Sequence, residues 1–324
     1  MTSTARTLRT ATTIAVVALI AGACGSATDG GSSAESTTDE QPAARTITVE
    51  HAQGSTEVPL EPQTVLTFDI ASLTVLDAFG VEVAGVPKSN LPEQYAHYAA
   101  DDVLDIGTLF EPDYEVVNAA EPDLIIVAGR SSEALPELSR IAPTIDLSND
   151  WTDFRTSVVE GASTLGEIFD KEDEIADMVA TLDTSIEEVA AAAPDAGNAL
   201  ILLTSAGEIT AYGPGSRFGF LHDDLGVTPA VEDVEEATHG EAVSFEFVLD
   251  VDPDWLFVVD RDAATGEGTQ SAEAVLDNEI IHRTSAWESG QVVYVDPVSW
   301  YIVNGGLPTL QQMTDEVAGA LGTS

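Results

Sequence analysis

The chain has 324 residues, 44% of them apolar, enough to build two domains of ordinary size with real cores. It carries 57 acidic against 11 basic residues, a formal net charge of −46, which excludes nucleic acid as a partner because a polyanion would be repelled. The acids are scattered rather than clustered, so they read as a solvated surface suited to high salt and not as a cation site. A single cysteine excludes any intramolecular disulfide.

Residues 1–23 read as an export signal: Arg6 and Arg9, an apolar stretch from Ile14 to Ile20, then Ala21-Gly22-Ala23. The lone cysteine, Cys24, follows directly. This arrangement resembles the lipobox of bacterial lipoproteins, although Ala21 stands where leucine is usual. The resemblance implies that Cys24 is diacylated and anchors the mature chain on the extracytoplasmic face of the cell membrane; ordinary secretion would leave it a free thiol. Residues 24–45 hold Ser, Thr, Gly and Asp with almost nothing apolar, which predicts a lipid-anchored flexible tether.

The folded part opens with alternating apolar and polar residues at Thr46–Glu50 and Thr56–Val58 around Gln53-Gly54-Ser55, a hairpin signal. Strands are predicted at Val65–Phe68, Val81–Val86 and Thr144–Leu147, with a further buried strand within Pro122–Arg130. Helices are predicted at Ile70–Phe79, Leu91–Tyr98 and Leu135–Ile141, and Tyr114–Glu121 is a short amphipathic stretch. Such alternation implies a mainly parallel sheet covered on both faces. Phe154–Phe169 has helical period, and Lys171–Ala193 reads as one long helix with Ile175, Met178, Val179, Leu182, Ile186 and Val189 on one face, stopped by Pro194. Its 23 residues would span about 35 Å, roughly a domain's width.

The second half resumes with strands at Ala199–Thr204 and Glu208–Tyr212, the latter edge-like. A helix follows around Phe220–Leu225, and the stretch Gly240–Val251 leads into another strand. Short helices are expected at Ala272–Leu276 and Ile280–Trp287. A last strand at Val292–Val295 leads to an irregular loop, Asp296–Gly306, and a closing helix, Leu307–Leu321. Pro122-Asp123-Leu124-Ile125-Ile126-Val127-Ala128-Gly129-Arg130 is echoed 131 residues later by Pro253-Asp254-Trp255-Leu256-Phe257-Val258-Val259-Asp260-Arg261. Each run follows a short amphipathic stretch and ends a buried strand in an arginine. The fold class is therefore α/β, two Rossmann-like lobes joined by one long rigid α-helix: 46–168, the helix at 169–194, and 195–324.

In so acidic a chain each basic residue needs a reason. Two of the 11, Arg6 and Arg9, precede Cys24, leaving nine. Arg130 and Arg261 follow core strands at their carboxyl ends, where ligands bind in open α/β sheets. Arg217 lies in a Gly-Pro-Gly-Ser loop before a helix. Three guanidinium groups on one cleft would suit a ligand with several negative oxygens; the plainer alternative pairs each with a nearby carboxylate. His239 and Tyr301 lie in loops of the second half, where a lone histidine or tyrosine is most often structural. His51, His97, His222 and His282 show no metal spacing. No Gly-x-Ser-x-Gly elbow, dinucleotide fingerprint or phosphate-binding Gly-x4-Gly-Lys-Ser/Thr loop is present, which argues against an enzyme.

The stretch Gly107–Glu115, the echoed runs, Ala211–Gly219 (AYGPGSRFG), Thr238-His239-Gly240 and Asp296–Tyr301 (DPVSWY) together resemble the substrate-binding lipoproteins of ABC importers for iron–siderophore complexes, over nearly all of residues 46–322. Ser299 departs from the aromatic residue often found there. The resemblance implies the class III periplasmic binding protein fold, a monomer with no intrinsic cofactor, and a ferric siderophore and a permease as partners. It is nearest to the subgroup that binds catecholate siderophores. Carried over, Arg130, Arg217 and Arg261 hold the anionic complex, while His239 and Tyr301 complete the coordination of ferric iron. Hard phenolate and catecholate oxygens suit that hard cation. On this reading the second lobe holds the iron and Arg130 closes over it. Haem, cobalamin or a hydroxamate siderophore are the competing ligands for the same fold, and a secreted α/β enzyme is the competing class.

Overall fold

The computed structural model describes residues 45–231, 240–268 and 270–323. The expected leader, Cys24, the tether and His239 lie outside the described residues. A hairpin opens the fold: β1 (Thr46–His51) pairs antiparallel with β2 (Gly54–Pro59). The first lobe is a five-stranded sheet of β3 (Val65–Thr67), β4 (Gly85–Val86), β5 (Leu104–Asp105), β6 (Leu124–Val127) and β7 (Thr144–Asp146), ordered β5-β4-β3-β6-β7 and parallel throughout.

The second lobe's sheet holds β8 (Asn198–Ser205), β9 (Glu208–Tyr212), β10 (Thr228–Pro229), β11 (Glu241–Val243), β12 (Trp255–Asp260) and β13 (Val292–Tyr294). Its order is β11-β9-β8-β12-β13, with β10 also on β8. Strands β10, β12 and β13 run parallel to β8, whereas β9 and β11 are antiparallel.

Alternation along the strands separates the faces. Val65, Leu124 and Ile126 of the first sheet and Ala199, Ile201, Phe257 and Val259 of the second join one core with Leu182, Ile186 and Val189 of the long helix. The residues between them point the other way. Leu66, Ile125 and Val127 pack with Val117 and Leu138, and Leu200, Leu202, Leu256 and Val258 pack with Val248 and Leu276.

The echo has a structural cause. Glu121 and Asp252, 131 residues apart, both have φ of 47°. Each ends a helical stretch in the left-handed region and turns the chain into Pro-Asp. Asp123 Oδ2 then accepts N–H bonds from Gln63 (3.0 Å) and Thr64 (2.9 Å), just ahead of β3. Asp254 Oδ2 likewise accepts from Asn198 N (3.0 Å) at the start of β8. In both lobes the aspartate ties the incoming strand to its parallel neighbour. Asp123→Ala is expected to cost about 1 kcal/mol, one or two net hydrogen bonds at a half-exposed position, as a lowered urea midpoint with unchanged slope.

Four expectations are corrected. Pro194 does not stop the long helix, which runs from Glu172 to Ala196. In the last turn proline forfeits little, and the Trp255 indole donates to the Ala196 carbonyl (3.0 Å), satisfying an otherwise orphaned acceptor; Gly197, at φ of 102°, then ends the helix. The strand at Val81–Val86 shrinks to Gly85–Val86 because Val81 N–H still closes the preceding helix onto Leu76 O (3.0 Å). Strand β9 is not an edge, since Glu241–Val243 pairs outside it. Ile280–Trp287 breaks into a 3-10 turn (Ile281–Arg283) and a helical turn (Ser285–Glu288), with Thr284 capping the second.

Candidate functional site

Each lobe delivers its arginine just beyond the carboxyl end of the strand beside its central one, β6 next to β3 and β12 next to β8. Strand β6 ends at Val127. Gly129, with φ of 43°, bends the chain into a 3-10 turn (Gly129–Ala134), and its N–H donates to Ser148 Oγ (2.7 Å). Ser131 Oγ accepts from Ala128 N–H (3.1 Å). Arg130 leaves this braced turn toward the other lobe. Arg261 begins the short helix Arg261–Thr265 directly after β12, where Asp260 caps it by accepting from Ala263 N–H (2.8 Å). Arg217 comes from the loop between β9 and the helix Phe220–Asp223, pinned where Gly215 N–H donates to Asp223 Oδ2 (2.7 Å).

The three arginines surround one residue, Tyr301. Their guanidinium carbons lie 5.7 Å (Arg130), 4.7 Å (Arg217) and 5.8 Å (Arg261) from its ring centre. Arg130 donates through Nη2 to Tyr301 O (2.8 Å) and through Nη1 to Ile302 O (3.0 Å). Arg217 Nη2 donates to Tyr301 O (3.1 Å). Arg261 Nε donates to the Tyr301 hydroxyl oxygen (2.9 Å) and Nη1 to Ser205 Oγ (3.1 Å). Tyr301 lies in a π-helical turn, Val298–Val303, which Asn304 closes at φ of 40° by donating its N–H to Ser299 O (2.9 Å). Trp300 is fully buried, so Tyr301 is the aromatic that faces the arginines.

The charges are arranged for an anion. Among the described residues, Arg140, Arg155 and Lys171 pair with Glu137, Asp183 and Glu174. Among the described residues no carboxylate lies within 4.0 Å of Arg130 or Arg217, and only Glu267, at 3.9 Å, is that close to Arg261. Burial pulls Arg130 and Arg217 below the ordinary arginine value, and the Arg130 charge lowers Arg217 further. The hydrogen bond to Tyr301 raises Arg261. Two half-buried guanidinium groups that repel each other gain from an oxyanion placed between them.

A cleft of about 440 Å³ opens beside this cluster, lined by Arg130 and Arg217 together with Trp151, Asn149, Leu109 and Asp69. Arg261 and Tyr301 stand at its side rather than in its lining. Asp69 and Trp151 were not singled out by the sequence. Asp69 caps the helix Ile70–Ala78, accepting from Ser72 N–H and Oγ (both 2.7 Å), and burial raises its pKa. Its place immediately after a core strand was the available signal. Of the histidines assigned a structural role, His222 is buried with Nδ1 2.8 Å from Val227 O. No group of three or more His, Cys, Asp or Glu suited to a metal ion occurs among the described residues.

The periplasmic binding protein family model matches residues 65–298, well over half the chain. The chain belongs to the periplasmic binding protein family. Within it, the chain is 40% identical over 311 residues to the petrobactin-binding protein YclQ of Bacillus subtilis (strain 168), covering 94% of this chain and 96% of YclQ. The crystal structure of YclQ superposes with a TM-score of 0.83 over 86% of this chain and 99% of that one. The periplasmic catecholate-siderophore binding protein VctP of Vibrio cholerae, 30% identical, gives 0.81 over 85% and 100%. The two-lobed architecture of this periplasmic binding protein is thus the class III one, and its relatives are binding proteins.

Proposed function

We propose that this protein captures a ferric siderophore of the catecholate type in the interlobe cleft and delivers it to an ABC importer, binding it without turnover. The observation that carries the reading is the convergence of Arg130 from one lobe with Arg217 and Arg261 from the other on Tyr301, in an acidic protein, with no carboxylate among the described residues within 4.0 Å of Arg130 or Arg217. A ferric complex of deprotonated catechols is an anion with several outward oxygens, which suits such a clamp. The names of the YclQ and VctP relatives agree with it. Arg130, Arg217 and Arg261 hold the complex, and Tyr301 with His239 supplies donors to the iron when the siderophore leaves positions free. Diacylated Cys24 anchors the chain on the outer face of the membrane, with lobes at 46–168 and 195–324.

The test is a tryptophan-quenching titration against ferric bis-catecholate, tris-catecholate and hydroxamate complexes. Catecholate complexes are expected to bind, and the less anionic hydroxamates about tenfold more weakly, the loss of roughly one charge-assisted hydrogen bond. With a bis-catecholate, Tyr301→Phe is expected to abolish the phenolate-to-iron charge-transfer absorption. Preference for hydroxamates, or a shifted Soret band with haemin and no catecholate binding, overturns the reading.

A further inference from the structure

The turn that carries Tyr301 is held from behind by one carboxylate. Glu316 lies on the closing helix, Leu307–Leu321. Its Oε1 accepts the Asp296 N–H at 2.8 Å and its Oε2 accepts the Trp300 indole N–H at 2.8 Å. These two donors bracket the entry to the π-helical turn. Between them Asp296 Oδ2 accepts Ser299 N–H (2.8 Å) and Asp296 O accepts Trp300 N–H (3.1 Å). The next residue is Tyr301, whose carbonyl receives Arg130 and Arg217.

Glu316 is half-buried, burial pushes its pKa up, and no basic side chain lies within 4.0 Å among the described residues. A half-buried carboxylate with no counter-ion gives up hydration without a charge partner to offset it. Its helix packs with Leu310, Met313 and Val317 into the core shared with the long interlobe helix and with Leu73 and Leu76 of the first lobe.

We propose that Glu316 is a positioning residue for ligand capture. It fixes the Tyr301 turn at the depth where the Tyr301 carbonyl aligns Arg130 and Arg217 and the hydroxyl meets Arg261. It also ties that turn to a helix seated on the first lobe and the interlobe helix. The proposal rests on the reading of the cleft as an anion-binding site.

Glu316→Gln is nearly isosteric but has one acceptor oxygen, so one of the two N–H donors meets an amide N–H instead. Binding of ferric 2,3-dihydroxybenzoate by the full chain is expected to weaken about three- to tenfold, the worth of one neutral hydrogen bond. The melting temperature, read in parallel, stays far above the titration temperature. Combined with Arg217→Ala, the loss is expected to be less than the product of the separate losses, since both act through one turn. A dissociation constant within twofold of wild type alongside a lowered melting temperature would make Glu316 merely structural, as would strictly multiplicative losses. Should Glu316→Gln not fold, Trp300→Phe, which removes the indole donor together with part of a fully buried ring, must show at least as large a rise in dissociation constant. Failure of the wild type itself to bind any ferric catecholate would overturn the proposed function, and this role with it.

Discussion

Replacing Arg217 with alanine is expected to weaken ferric–catecholate binding by about 1.5–3 kcal/mol, the worth of a charge-assisted hydrogen bond, or roughly a ten- to hundredfold rise in Kd. Of the three arginines it lies nearest the Tyr301 ring (4.7 Å) and lines the cleft, and its guanidinium also stands 5.0 Å from the Phe218 ring. Stacking between two aromatic faces fixes the plane of the fork, so little side-chain entropy remains to be lost on binding. Stability should change far less than affinity. Removing Arg217 ends its repulsion with Arg130, and Arg130 keeps its own bonds to the Tyr301 and Ile302 carbonyls. Arg217→Lys is expected to recover only part of the affinity, since an ammonium cannot present two parallel donors. Unchanged quenching in Arg217→Ala would remove this residue from the site.

The parts of this molecule written in local chemistry were legible in the sequence. Strand alternation, the apolar stripe of the long helix and the repeated Pro-Asp each express contacts within one element or between neighbouring strands. The arginines at 130 and 261 were visible because strand ends and scarce positive charge are both one-dimensional facts. What stayed hidden depends on pairings across the fold. The loop Asp296–Gly306 read as irregular because its π-helical turn arises from wider-spaced bonds that have no hydrophobic period. Glu316 looked like one acid among 57 until its distance from Trp300 was known. The extension past Pro194 to Ala196 is capped by the indole of Trp255, 59 residues beyond Ala196. Tyr301 and Trp300 are neighbours in sequence, and only burial separates the one that packs from the one that faces the arginines.

The convergence on Tyr301 also needs the chain to cross tightly from the second lobe back to the first, and Gly306 makes that crossing. Its φ is 76°, and a Cβ there would lie 2.5 Å from Thr74 Oγ1 and 2.6 Å from Ala71 O, on the face of the Ile70–Ala78 helix. Thr74 Oγ1 already donates to Ala71 O (2.7 Å), so neither atom is free to move aside. Gly306 O then accepts Leu310 N–H (3.0 Å) to start the closing helix. Gly306→Ala is therefore expected to destabilise the protein by roughly 2–6 kcal/mol, combining ~1–3 kcal/mol for a backbone at φ 76° and ψ 141° that essentially only glycine adopts with ~1–3 kcal/mol of overpacking, as a lowered urea midpoint. Gly322 gives the scale at an uncrowded position. Its φ of 73° and ψ of 32° are ordinary left-handed values and no atom lies within 4 Å of a built Cβ, so Gly322→Ala should cost only the smaller left-handed penalty of ~1–2 kcal/mol. Equal losses in the two variants would mean that neither the backbone nor the close approach at Gly306 carries extra strain. A larger loss at Gly306, together with weaker ferric–catecholate binding, would show that the cleft depends on how closely this crossing seats the Tyr301 turn against the first lobe.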